Sequence, residues 1–275
     1  MKLQGKVALV TGTSPNIGGG LVEELAAAGA AVVCVDAVAA NANDAAGWLT
    51  RNGQRALAAT CDVCDENQVK AAVAAAVETF GGIDVLVNNA ATFNRQGVLD
   101  MPLDRWRAQI DVILTGAFLF TKHVALSMIE QKRRGSILNI ISTAGHQGEP
   151  RNVAYSTAKC GLMNFTRSTA MELAGHGIRV NSLTPTATDP SEHYERAARW
   201  GRTPSGDLQK HLQIMESFRQ RVPMQELPKP TDYGRAAVFL ASDDAMMITG
   251  IDLRVDAGAV ARYWAWDPTM AMRTY

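Results

Sequence analysis

Tyr155 and Lys159 stand four residues apart in the segment Tyr155-Ser156-Thr157-Ala158-Lys159. On a helix that spacing puts both on one face. An ammonium beside a phenol favours the tyrosinate and lowers the tyrosine pKa, which makes a weak acid usable as a general acid/base near neutral pH. By itself the pair reads equally as a solvated helix face. A second chemical signal lies near the N-terminus. Residues 7–11 are apolar and strand-like, and they run into Gly12-Thr13-Ser14-Pro15-Asn16-Ile17-Gly18-Gly19-Gly20 and then into helical sequence. Strand, glycine turn and helix start are the setting of a dinucleotide phosphate site. Gly12 permits the tight turn and Gly18 the approach of a pyrophosphate. The amides around the helix start, with Ser14, Asn16 and Ile17 among their residues, face the negative charge. Glycines also serve turns alone, so the next strand matters. Val32-Val33-Cys34-Val35 ends in Asp36, at about the 20-residue distance where a carboxylate accepts the ribose hydroxyls of NAD and repels the 2′-phosphate of NADP. Neither 13–20 nor 37–40 contains an Arg or Lys. The expected cofactor is therefore NAD.

These residues need elements to hold them. Strand-like runs occupy 6–11, 31–36, 56–62, 85–88, 136–142, 179–183 and 252–255. Most lack polar alternation, which predicts strands covered on both faces, as in a parallel sheet. Between them lie helical stretches. The stretch 17–28 stops at Gly29, and Asp65-Glu66-Asn67-Gln68 resembles a capping box. The stretch 103–131 reads as one long helix with Trp106, Ile110, Ile113 and Leu114 on its apolar stripe, and 154–174 ends at Gly175. Alternating strands and helices predict an α/β fold: a doubly wound, seven-stranded, mostly parallel sheet with helices on both faces. One domain over 1–275 is expected. Within it, 186–230 is polar, carries Pro190, Pro204, Pro223, Pro228 and Pro230, and looks helical at 191–200 and 207–221. A long insertion after a strand end is where a substrate lid would sit. Residues 259–275 form a tail.

Composition excludes several classes. The chain has 275 residues with 27 basic and 27 acidic side chains, so its formal charge is zero. That balance argues against nucleic acid or an anionic membrane as partner. No run approaches the 18 or more apolar residues of a membrane span. The opening MKLQGKVALVTG runs straight into a strand without a signal-peptide core, which predicts a cytoplasmic protein. Cys61 and Cys64 form C-x-x-C, but no second pair or His motif completes a metal site, so reduced cysteines and no metal are expected.

Taken with Ser142 at a strand end and Asn88-Asn89-Ala90-Ala91 at the end of the strand before it, the glycine turn and Tyr155/Lys159 closely resemble the short-chain dehydrogenase/reductase family. The resemblance spans the chain from Gly12 to Asp256-Ala257-Gly258 and implies a Rossmann-like fold. It implies that Tyr155 gives or takes the hydroxyl proton, that Lys159 binds the nicotinamide ribose and tunes Tyr155, and that Ser142 hydrogen-bonds the substrate oxygen. It further implies that Asp62 and Val63 hold adenine, and that Asn88, Ala90 and Ala91 line the adenosine ribose and the floor of the site. Pro185, Ala187 and Thr188 would pass the nicotinamide carboxamide. The family assembly favours a homotetramer, with a dimer as the lesser choice.

Three positions depart from the family pattern. Asn16 stands where the turn usually has Gly, and Asn tolerates positive φ better than most residues. Ile113 replaces an Asn that helps relatives hold a water behind the Lys. Thr186 replaces the Gly of Pro-Gly. Elsewhere, His146, Asn94, Arg95 and Gln96 fall in loops expected to border the pocket. His193, Tyr194, Trp200 and Met215 fall in the lid, where packing or solvent is the default. The tail residues Tyr263, Trp264 and Trp266 are expected either to pack on the chain's own surface or to be buried between subunits. The leading expectation is NAD-dependent oxidation of a hydrophobic or cyclic secondary alcohol, a small-molecule substrate. The alternatives are a 3-oxoacyl-thioester reductase, for which a basic carrier-docking patch would speak, and a non-catalytic NAD-binding scaffold.

Overall fold

The structure is a computed structural model and describes residues 1–204 and 206–267. Ser205 of the lid and residues 268–275 of the tail lie outside the described residues. Seven strands form one sheet in the order β3-β2-β1-β4-β5-β6-β7. They are β1 (Val7–Thr11), β2 (Ala31–Asp36), β3 (Ala56–Thr60), β4 (Val85–Asn88), β5 (Gly135–Ile140), β6 (Ile178–Pro185) and β7 (Asp252–Val255). Every pairing is parallel, including the last strand, which the mostly parallel expectation left open. The helices are α1 (Ile17–Ala27), α2 (Ala39–Arg51), α3 (Glu66–Phe80), α4 (Leu103–Ile110), α5 (Gly116–Glu130), α6 (Val153–Leu173), α7 (Ser191–Arg199), α8 (Leu208–Arg219) and α9 (Pro230–Ala241).

The missing alternation has its cause in the two cores. Ala8, Val10, Val32 and Cys34 pack on one face with Leu21, Leu25, Tyr233 and Leu240. Val7, Leu9, Val33 and Val35 pack on the other with Val69, Phe120, Val124 and Met128. Successive residues of a strand point to opposite faces, and both faces are dry. Winding runs outward in both directions from β1 and β4, so their C-terminal ends open the crevice where such sheets bind ligands.

Two expected strands end early. Those read at 56–62 and 136–142 stop at Thr60 and Ile140, which leaves Asp62 and Ser142 on loops above the sheet. The long helix at 103–131 is continuous, but Asp111–Thr115 forms a π-turn within it. The helix contains an 18-residue window of mean hydropathy 1.7, long and apolar enough to cross a membrane, so the expectation of no such run needs correcting. Half of that window is buried inside the protein, packed against α3, α6 and β4.

Candidate active site

Ser142 follows β5 directly, in extended backbone, and caps the single turn Thr143–Gly145. Its Oγ accepts a hydrogen bond from the Ala144 amide at 3.2 Å. Tyr155 and Lys159 lie in the first two turns of α6. The Ser142 hydroxyl lies near enough to the Tyr155 phenol to oppose a rise in its pKa. Lys159 is buried, its Nζ donates to Ile140 O at 2.6 Å, and the same Nζ stands 5.6 Å from the Tyr155 ring centroid. Burial pulls the Lys159 pKa down to about 7. The Tyr155 pKa moves opposite to the expectation. Burial raises it first, the nearby Ser142 hydroxyl opposes this, and the Glu149 charge adds to it. The physical reason is that the Lys159 ammonium is drawn to a backbone carbonyl, so desolvation of the phenol dominates.

The glycine turn joins β1 to α1. Gly12 has φ +74°, and a Cβ at Gly18 would stand 1.9 Å from Gly12 O. Gly18 is therefore required by the turn's own closure. Ser14 O accepts from the Gly19 amide at 2.8 Å, and Ile17 packs on the core. No side chain caps α1 and its first turn holds no acid. The Gly19 and Gly20 amides are taken by Ser14 O and Asn16 O, so the amides left open at the helix start are those of Ile17 and Gly18. Thr13 Oγ1 is buried without a partner.

Around the crevice, Asp36 ends β2 and its Oδ1 accepts from the Val38 amide at 2.9 Å. Asp62 is exposed and Val63 is buried against Gly116. The Asn88 side chain departs from its expected place. It turns into the core and donates to Thr121 Oγ1 at 3.1 Å and to Asn139 Oδ1 at 2.9 Å. Its neighbour Asn89 serves the site instead, donating to Thr11 O and, at 2.7 Å, to Gly12 O. Thr11 Oγ1 accepts from the Asn89 and Ala90 amides. This latch between β1 and β4 escaped sequence reading, although Asn89 is adjacent to the residue that was chosen. Pro185 is buried at the end of β6, while Thr188 shares a hydrogen bond with the Tyr233 hydroxyl at 3.0 Å.

A cavity of about 500 Å³ opens beside Ser142 and Tyr155, with Asn16, Phe93, Thr188, His193 and Met215 in its lining. Phe93, another residue not foreseen, meets the Tyr155 ring edge-on at 5.2 Å. Of the three loop residues expected at the rim, Arg95 lines the cavity, while Asn94 donates to Gln96 at 2.6 Å. His146 turns away from the cavity. Its Nε2 lies 3.0 Å from Thr184 Oγ1 and 3.2 Å from Asp252 Oδ2. In the lid, His193 and Met215 reach the cavity and Trp200 is buried in the core. Tyr194 meets the His193 and His211 rings edge-on. Helix α7 is stapled to α1: the buried Arg196 bonds Glu23 at 2.9 Å, Glu192 at 3.2 Å and Pro15 O at 3.0 Å.

Comparisons with known proteins show the family to which this fold belongs. A family model described as "Enoyl-(Acyl carrier protein) reductase" matches residues 12–260. Galactitol 2-dehydrogenase of Agrobacterium fabrum is 36% identical, over 94% of this chain and 98% of its own. A 3-oxoacyl-[acyl-carrier-protein] reductase of Synechocystis sp. is 37% identical over the same shares. The crystal structure of NAD+-bound xylitol dehydrogenase is similar at TM-score 0.82 and 31% identity, over 93% of this chain and 99% of that one. The chain is a short-chain dehydrogenase/reductase.

The family uses a nicotinamide cofactor, and the residues here fit one. The open amides of Ile17 and Gly18 and the partnerless Thr13 hydroxyl suit a phosphate group, and the second oxygen of Asp36 is open to a ribose hydroxyl. The three departures from the family pattern each have a local form. Asn16 has φ −81°, so no glycine is needed there. Ile113 lies in the π-turn, buried with Ala117, Ala158 and Leu162 and packed near Tyr155. Thr186 Oγ1 accepts from the Thr143 hydroxyl at 3.5 Å, linking the lid's first residues to the Ser142 turn. The four cysteines are free thiols, and burial pushes Cys61 up to about 11 and Cys64 up to about 12, far from thiolate at neutral pH.

Proposed function

We propose that this enzyme oxidises a hydrophobic or cyclic secondary alcohol with NAD. The observation that carries the reading is the Ser142–Tyr155 hydroxyl pair at the wall of a cavity whose lining includes Phe93, Met215, Phe218 and Val222. The nicotinamide, when bound, supplies the hydride acceptor. Tyr155 takes the proton from the substrate hydroxyl. Ser142 holds the same oxygen, and its own Oγ is fixed by the Ala144 amide. Lys159 anchors the nicotinamide ribose. Gly12, Ser14, Asn16, Ile17 and Gly18 take the pyrophosphate, and Asp36 the adenosine ribose. Asp62 and Val63 bound the adenine, with Ala90 beside them, and Pro185 and Thr188 flank the nicotinamide.

Asp36 supports NAD over NADP. Arg196, which touches the turn at Pro15 O, is already neutralised by Glu23 and Glu192 and so offers no phosphate site. A homotetramer is supported by apolar side chains left exposed on two helices, Phe118 and Leu126 on α5 and Met171 on α6. Tyr263 and Trp264 of the tail are also exposed, at 60% and 86%, which favours burial between subunits over packing on the chain's own surface. We place the protein in the cytoplasm, where its free thiols stay reduced.

The test is NADH formation from cyclic, aromatic and aliphatic secondary alcohols with NAD and, separately, NADP. Turnover with NAD that disappears in Tyr155→Phe supports the reading. Turnover with NADP alone supports the 3-oxoacyl-thioester alternative, and cofactor binding without any turnover supports a scaffold.

A further inference from the structure

We propose that the cavity beside Ser142 and Tyr155 selects substrates carrying a carboxylate, held by Arg95 and Arg221; this rests on the oxidoreductase reading of the same cavity. Three arginines from distant segments meet in its lining: Arg95 after β4, Arg221 after α8 and Arg262 after β7. Two imidazoles of the lid, His193 and His211, join them. Among the described residues the lining holds one carboxylate, Glu149, whose Oε2 accepts from Asn152 at 2.8 Å. The whole chain carries equal numbers of acidic and basic groups, so the excess of positive charge is local.

Ion pairing sharpens the contrast. Arg196, Arg199 and Arg202 of the lid each meet a carboxylate. Among the described residues, no carboxylate lies within ion-pair distance of Arg95 or Arg221. Arg95 lies over the Phe93 ring at 5.4 Å, and Phe93 in turn abuts Tyr155. That stack holds a guanidinium one ring away from the catalytic phenol. Arg262 donates to Arg221 O at 2.7 Å, which ties the start of the tail to the segment after α8. A guanidinium fork matches a carboxylate with two parallel hydrogen bonds. The cations share one lining with the catalytic hydroxyls and with Met215 and Phe218. That arrangement suits an apolar skeleton with an acid group at one end, rather than a protein docked outside.

The first measurement is calorimetric binding of cyclohexanecarboxylate and of cyclohexanecarboxamide to the full chain with NAD present. Neither probe has a hydroxyl, so the result does not depend on turnover. The acid is expected to bind at least about tenfold more tightly than the amide, as charge-assisted hydrogen bonds imply. Arg95→Gln and Arg221→Gln should each bring the acid-to-amide ratio close to one. Both residues are exposed, and a thermal melt confirms that the variants are folded. Equal affinity for the two probes, or no binding of either, overturns the proposal. Turnover of 3- and 4-hydroxycyclohexanecarboxylates is then compared with that of their amides. Acid binding without turnover of any alcohol overturns the oxidoreductase reading and upholds the anion site. A preference for the amides, or activity confined to thioesters on an acidic carrier protein, overturns the carboxylate proposal.

Discussion

Lys159 Nζ donates to Ile140 O across 2.6 Å, and this bond ties α6 to the end of β5 two residues before Ser142. Tyr155 belongs to α6, and Ser142 lies two residues beyond β5. The lysine thus sets their register in addition to any contact with a cofactor.

That position buries an ammonium, with a measurable consequence. The native pKa of about 7 lies below the ordinary 10.5. Between those values the unfolded chain carries a proton that the native chain lacks. Stability therefore rises with pH across this window, by up to about 1.4 kcal/mol per pH unit, and the full penalty applies below it. Lys159→Met removes the titration. The melting temperature of the Met variant minus that of the native chain should be largest near pH 6 and shrink steadily toward pH 9.5. A difference that is flat or grows with pH would show that the buried ammonium is not penalised.

Tyr155→Phe removes the hydroxyl proposed to take the substrate's proton. Turnover should fall by roughly 10²–10⁴-fold, the range for general acid–base catalysis. NAD affinity, measured by fluorescence titration, should stay within about threefold. Ser142→Ala should follow the same pattern, and a normal rate in that variant would remove Ser142 from the site.

Asp36 Oδ1 is occupied by the Val38 amide, which fixes the carboxylate at the end of β2. Asp36→Ser keeps a hydroxyl acceptor and removes the charge that repels a 2′-phosphate. The ratio of kcat/KM for NAD to that for NADP should drop by about tenfold or more, read from parallel initial rates, since each charged contact is worth about 1.5–3 kcal/mol. An unchanged ratio would place the cofactor discrimination elsewhere.

Arg196 is 1% exposed and neutralises Glu23 and Glu192 while donating to Pro15 O of the glycine turn. Arg196→Met leaves two carboxylates without their buried partner, a loss of about 3–5 kcal/mol. Thermal melts should show a drop of roughly 10 °C, and the KM for NAD should rise as the turn loses its anchor. Arg199→Met provides the comparison. Arg199 meets the same Glu23, but its side chain is 46% exposed, and the cost should stay below about 1 kcal/mol.

What the sequence determined by itself was everything written in short-range pattern. Apolar runs without alternation, such as 31–36, imply strands covered on both sides. Gly12 and Gly18 imply a turn that few other residues can make, and Asp36 follows at the strand end. Tyr155 and Lys159 share a helix face by spacing alone. Each of these depends on backbone geometry within a few residues, which local composition controls. The tertiary structure decided what depends on contacts far along the chain. Asn88 and Asn89 look alike in sequence. Strand pleating sends the first into the core toward Asn139 and leaves the second to hold Gly12. The lid read as one excursion, yet its first helix is bonded to Glu23, 173 residues away. Lys159 was expected to tune Tyr155, but packing of α6 on β5 aims it at Ile140. The convergence of Arg95, Arg221 and Arg262 on one cavity had no signal in a chain of balanced charge. Their approach is set by how the crossovers bring three loops to one end of the sheet, which no spacing along the chain encodes.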